Sequence, residues 1–238
     1  DPPDGRMPAL TAAGEAIAAS RTRGTYGPGP FDSLEDFSLY DRCITRGPLG
    51  SILPSIYGNG VRIAQSPEHV SVTSEMIHET RVIRLGDAPP LADELRQSVG
   101  SSRGYWDGDT LVVESANFTD RASVSRAPNS REFKLTERFT RVDPEMVEYI
   151  ATIEDPVTLT APFTLRLMLT SQPDYVLYEY GCHEGNEAVR NSLAGERVYE
   201  QQAAEARAKG LPPPARAKDH TEIRNGAPER LFDINKGE

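Results

Sequence analysis

The chain concentrates its chemistry between Tyr178 and Asn186, where Tyr-Glu-Tyr-Gly-Cys-His-Glu-Gly-Asn brings together two carboxylates, two phenols, a thiol and an imidazole. The whole sequence has only four histidines and two cysteines. An imidazole beside carboxylates is the equipment of general acid–base catalysis, because the carboxylate fixes the ring tautomer and tunes its charge near neutral pH. Strand-like alternation puts Tyr175, Leu177, Glu179, Gly181 and His183 on one face and Val176, Tyr178, Tyr180 and Cys182 on the other. In the first register Glu179 orients His183; in the second, two phenols and a thiol line the interior. The sequence leaves both registers open.

Glu137 interrupts the apolar row of Phe133, Leu135 and Phe139. A desolvated carboxylate has a raised pKa and suits a general acid or base; the competing reading is a pair with an inward arginine. A second polar cluster holds Glu75, His78, Glu79 and Arg81. On an uninterrupted strand His78 shares a face with Met76 and Thr80, and Glu75 shares the other with Glu79 and Arg81, although a solvated strand face explains the charges too. The catalytic candidates are therefore His183, Glu137, His78 and Glu179. Tyr178, Tyr180, Arg81, Tyr149 and Trp106 are candidates for holding a substrate. His69 and His220 read as surface residues.

His78, His183 and a carboxylate such as Glu137, Glu179 or Glu184 could supply a two-histidine, one-carboxylate metal set, which would make the chain a metal-dependent hydrolase. No metal-binding spacing supports it: His-Glu-x-x-His, paired Cys-x-x-Cys and calcium loops are all missing. Dinucleotide, phosphate-loop and serine-elbow signatures are missing as well. The expectation is chemistry with no metal and no cofactor.

These side chains need elements to position them. Thr11 is placed to cap a short helix through Ala19, and Gly24 to Pro30 breaks it. Asp32 with Glu35, or Ser33 with Asp36, opens a helix that runs past Cys43 to Gly47-Pro48. From Tyr57 the period becomes two. Strands are expected at Val61 to Ala64, twice within His69 to Leu85, at Leu111 to Glu114, Phe133 to Val142, Met146 to Ile153, Phe163 to Thr170 and Tyr175 to Cys182. Asp107-Gly108 suits a type I′ hairpin turn, and Pro90 to Val99 reads as a small helix. Val147, Tyr149, Ala151 and Ile153 share an inner face, as do Phe163, Leu165, Leu167 and Leu169.

Seven or eight strands at spacings near ten residues predict a mainly β chain: a single antiparallel β-barrel, lipocalin-like or a related closed sheet, with N-terminal and C-terminal helices. Residues 1–56 form an arm and helices on the barrel, 57–186 the barrel, and 187–238 helices at Glu187 to Leu193 and Glu196 to Lys209 followed by a tail. Ile223, Leu231 and Phe232 are the tail's only apolar anchors.

The 238 residues carry 36 acidic and 26 basic side chains, a formal charge of -10. That disfavours nucleic acid and anionic membranes as partners, and no apolar run approaches the roughly 20 residues of a membrane span. A small molecule is the expected partner, and the polar helix from Glu196 to Lys209 could also meet a second copy. Asp1 in place of Met fits a removed leader and a periplasmic or secreted protein. There an even cysteine count permits one bridge, against the alternative of two buried thiols.

Asp41-Arg42-Cys43-Ile44-Thr45-Arg46-Gly47, Glu75-Met76-Ile77-His78, Trp106 to Glu114 and Tyr178 to Asn186 together resemble a family of exported bacterial proteins that share a Tyr-Glu-Tyr-x-Cys-His-Glu-Gly-Asn motif. The resemblance runs from about Pro3 to Leu193. It implies export, makes Cys43 and Cys182 a natural disulfide pair, and carries no activity onto individual residues. From the residues, the expectation is a cofactor-independent lyase or isomerase acting on a small, aromatic organic molecule in a barrel cavity. Glu137 or His183 would remove a proton, and His78, Tyr178 or Tyr180 would return one. The alternative is a non-catalytic carrier or sensor.

Overall fold

The computed structural model describes residues 2–20, 29–55, 57–87, 89, 91–121 and 128–216. His220, Ile223, Leu231 and Phe232 lie outside the described residues, as do Gly24, Gly27 and Pro28. The chain divides into two compact units, Asp1–Ser20 with Cys43–Cys182, and Arg21–Arg42 with His183–Glu238.

The first unit is one eight-stranded sheet in sequential order: β1 (Val61–Gln65), β2 (His69–Ser74), β3 (Thr80–Leu85), β4 (Ser101–Asp107), β5 (Thr110–Ala116), β6 (Lys134–Asp143), β7 (Met146–Glu154) and β8 (Phe163–Thr170). Neighbours are antiparallel except β3 and β4, which touch through a two-residue parallel register, Arg84 opposite Arg103 and Leu85 opposite Gly104. The expectation of a closed, wholly antiparallel barrel is corrected here. β1 and β8 do not pair, and the sheet is a curled half-barrel with two edges. Strand count and alternation specify one buried face, and closure depends on tilt and stagger that neither reveals.

Alternation fixes the buried face. Leu135, Glu137 and Phe139 point inward opposite Ile153, Ala151 and Tyr149 in register, Phe163 on β8 stands opposite Ile153, and Phe133 is buried just before β6. Val70, Val72, Ile83, Leu111 and Val113 continue the same core. Leu165, Leu167 and Leu169 on edge strand β8 are only partly covered. The outward face is polar and braced by cross-strand pairs such as Arg103–Glu114 and Arg166–Glu148.

Helix α1 (Ala12–Ser20) begins at Thr11, whose Oγ1 accepts the Gly14 N–H at 3.0 Å. A Cβ on Gly14 would stand 2.3 Å from the Thr158 carbonyl oxygen, so only glycine lets this helix approach so closely. Leu49 and Ile52, in and just after the short helix α2 (Gly47–Gly50), join the core.

Several local expectations give way to side-chain hydrogen bonding. The helix expected from Asp32 past Cys43 is a single turn, Leu34–Asp36, capped by Ser33 and Asp36. Ser38 and Asp41 then bond each other's side chains and backbone, which competes with helix continuation. Cys43 has a φ of 57°, incompatible with a helix, and Gly47-Pro48 opens α2 instead of ending a helix. No helix forms over 91–99 among the described residues. The β4–β5 loop is Gly108-Asp109, with positive φ at Gly108 alone, the pattern of a type II′ turn in place of type I′.

In the second unit the two expected helices are one, α3 (Glu187–Ala208), continuous through Gly195. Its Glu196 is buried and takes both guanidinium nitrogens of Arg216 at 2.6 Å, while Arg216 lies 4.2 Å over the Tyr199 ring. Phe31 stacks on Phe37 at 4.9 Å, and Arg197 donates to the Phe31 carbonyl. No helix among the described residues is long and apolar enough to cross a membrane.

Candidate functional site

Glu137 sits midway along β6, with none of its surface exposed. Arg81 of β3 grips its carboxylate with two guanidinium nitrogens, Nη1 to Oε2 and Nη2 to Oε1, the latter at 2.8 Å. The Tyr149 hydroxyl donates to Oε1 at 2.9 Å. Ser115 borders Arg81 and shares a 2.7 Å hydrogen bond with Ser102. Burial alone would lower the Arg81 pKa, but the Glu137 charge and hydrogen bonds outweigh it and the net shift is upward. Burial, and then the negative charge of Glu137, push the Tyr149 phenol well above its ordinary range. Tyr149 is thereby held as a donor. Sequence alternation marks Glu137, and the chain brings Arg81 and Tyr149 to it.

Glu79, half-buried at the foot of β3, accepts the Thr45 hydroxyl at 2.6 Å. Burial raises its pKa against the opposing effects of that bond and of Arg81. His78 does not join this face. The strand expected through it is broken by a turn, Met76–His78, in which Met76 and Ile77 are buried and His78 is turned outward at a φ of 42°.

Residues 175–182 form no strand, so neither register of alternation applies to them. Tyr175 donates to Glu75. Tyr180 stacks on Tyr57 at 6.4 Å, Tyr178 is 74% exposed and Glu179 is exposed. Cys43 and Cys182 form a disulfide, with Cα atoms 5.8 Å apart. His183 belongs to the second unit, where it is exposed and its carbonyl accepts the Asn186 N–H. Among the described residues no group of three or more His, Cys, Asp and Glu side chains is placed to hold a metal ion.

A different part of the first unit is open. Trp106 pairs with Leu111, and Leu111 with Phe139, so Trp106 belongs to the inward row of β4. Arg141 extends the inward row of β6 two residues beyond Phe139. Both stand at the end of the sheet where the β4–β5 and β6–β7 hairpins turn. Between the tips lies an open cleft of about 490 Å³, lined by Trp106, Gly108, Asp109, Arg141, Val142, Asp143 and Pro144. A register shift between Arg141 and Asp143 adds a residue to β6 there, and such bulges re-aim side chains. Arg141 Nε donates to the Asp143 carbonyl and Nη2 to that of Pro144, while Asp143 Oδ1 accepts the Glu145 N–H at 2.7 Å. Trp106 is 48% exposed.

Of the substrate-holding candidates, Trp106 lies in this cleft, Arg81 and Tyr149 lie in the core, Tyr178 is exposed, and Tyr180 stacks on Tyr57. Asp109, Arg141 and Asp143 are not among the candidates the sequence offers. They read from sequence as turn and strand-end charges, and only the register of two separate hairpins places them with the indole. A second cleft of about 340 Å³, near Glu132, Lys134 and Pro162, contains no aromatic ring, and its Asp155 is occupied by the Ser130 and Thr158 donors. Compared with protein-family models, curated proteins and solved structures, the chain finds no match.

Proposed function

We propose that this chain is an exported, non-catalytic small-molecule carrier or sensor, with its ligand seated between the two hairpin tips at the open end of the curled sheet. One observation carries the reading: the inward row that is closed at Glu137 becomes open at Arg141 and Trp106, where an aromatic face and charged groups border a cleft of about 490 Å³. That size falls within the roughly 300–1,000 Å³ of small-molecule sites. The disulfide supports an oxidising compartment, and hence export. Proton transfer by Glu137, the lyase or isomerase reading, would first require Arg81 and Tyr149 to release its carboxylate.

Trp106 is the only tryptophan, so its emission reports on the cleft. Titration with a chemically mixed panel should give a saturable change for at least one compound, and that compound should raise the melting temperature of the wild type but not of Trp106→Ala. Equal stabilisation of both proteins would move the ligand elsewhere. A product detected by mass, and lost in Glu137→Gln or His183→Ala, would replace the carrier reading with acid–base catalysis.

A further inference from the structure

We infer that the cleft between the hairpin tips takes a neutral, polyhydroxylated ring, a pyranose sugar, with one face laid on the Trp106 indole; this rests on the binding reading above. The lining suits this class. Asp109 and Asp143 supply carboxylate acceptors and Arg141 a guanidinium donor, so the cleft offers hydrogen-bonding groups of both kinds with no large field of one sign to demand a charged ligand. A neutral ligand carrying both donors and acceptors can use all three groups.

The available hydrogen-bonding atoms fit the same ligand. Among the described residues, Asp109 makes no hydrogen bond, Asp143 spends only Oδ1 on the Glu145 N–H, and Arg141 spends Nε and Nη2 on backbone carbonyls, which fixes the guanidinium and leaves Nη1. Sugar hydroxyls can donate to the two carboxylates and accept from Nη1. The exposed indole offers a flat apolar face for the C–H side of a pyranose, and Val142 and Pro144 extend the apolar lining. An open cleft also leaves one side of the ring in water, as suits a ligand whose hydroxyls all require partners.

The test is Trp106 emission in the full chain, titrated with the methyl glycosides of glucose, galactose, mannose and N-acetylglucosamine, with tetramethylammonium chloride and sodium benzoate as ionic probes. At least one glycoside should shift the emission saturably below about 50 mM, a range that fills even a weak millimolar site. Its affinity should be unchanged between low and physiological salt, because a neutral ligand is not screened. Asp109→Asn, on an exposed turn, should weaken it about tenfold while keeping the wild-type melting temperature.

A salt-sensitive response to tetramethylammonium or benzoate, with the glycosides silent, would overturn the sugar class and leave binding at the cleft standing. Silence from all four glycosides in both emission and calorimetry would also overturn the class. A glycoside that binds by calorimetry with unchanged affinity in Trp106→Ala and Asp109→Asn would overturn both the class and the site.

Discussion

Arg81 on β3 and Glu137 on β6 are three strands apart and yet form a two-pronged ion pair inside the core. In a flat sheet strands so separated would be about 14 Å apart, too far for a snug grip with both side chains rising from the same face. Curling brings the side chains together, so the pair and the curvature are one geometric fact.

Removing one partner should cost more than removing both. Glu137→Leu or Arg81→Met should each destabilise by about 3–5 kcal/mol, because a buried charge loses its complement. The double variant Arg81→Met/Glu137→Leu should be more stable than either single variant in urea unfolding. Additive losses would mean that the two side chains do not act as a pair.

Tyr149→Phe removes one donor to the Glu137 carboxylate while keeping the ring against Phe139. A loss of about 1.5–3 kcal/mol is expected, the range for a hydrogen bond to a charged group. A neutral result would show that this donor adds nothing beyond the Arg81 grip.

Gly14→Ala should reverse the usual helix rule. In an exposed helix interior the change stabilises by about 0.5–1 kcal/mol. Here the new methyl meets the Thr158 carbonyl, and a loss of about 1–3 kcal/mol is expected from overpacking. A raised melting temperature would show that the helix can move away at little cost.

Two carboxylates should respond oppositely to acid. Burial raises the folded-state pKa of Glu79, so its contribution is full below the unfolded value of about 4.3 and is lost as pH rises through the raised value. The hydrogen bonds from Arg216 lower that of Glu196, so its contribution is present above about 4.3 and is lost as pH falls through the lowered value. Melting temperature against pH should show a smaller decline above about pH 4 in Glu79→Gln and a smaller acid loss in Glu196→Gln. Curves that superimpose on wild type would remove both groups as causes.

The two cysteines are 139 residues apart in sequence, and Cys43→Ser/Cys182→Ser should lose about 4–5 kcal/mol in the chain-entropy model. Guanidinium unfolding of the oxidised protein and the double variant would measure the difference.

What was legible in the sequence depended on range. The inward rows of β6 and β7 follow from alternation because each strand has a partner on either side and one face in the core. Tyr175 to Cys182 alternates as well, but no strand pairs with it, and side-chain pattern supplies no backbone partner. Glu137 was conspicuous among apolar neighbours, whereas Arg81, 56 residues earlier, reads as one charge in a polar cluster. The cleft was least legible, because its lining comes from two hairpin tips whose proximity depends on strand register and a bulge.

The Cys43–Cys182 bond makes residues 43–182 a covalent ring carrying two open branches, 1–42 and 183–238. A single peptide-bond cleavage anywhere between the cysteines opens the ring without detaching any piece. The clipped molecule keeps its full mass plus one water until a reductant divides it, so intactness on a non-reducing gel says nothing about whether the backbone of the sheet has been cut.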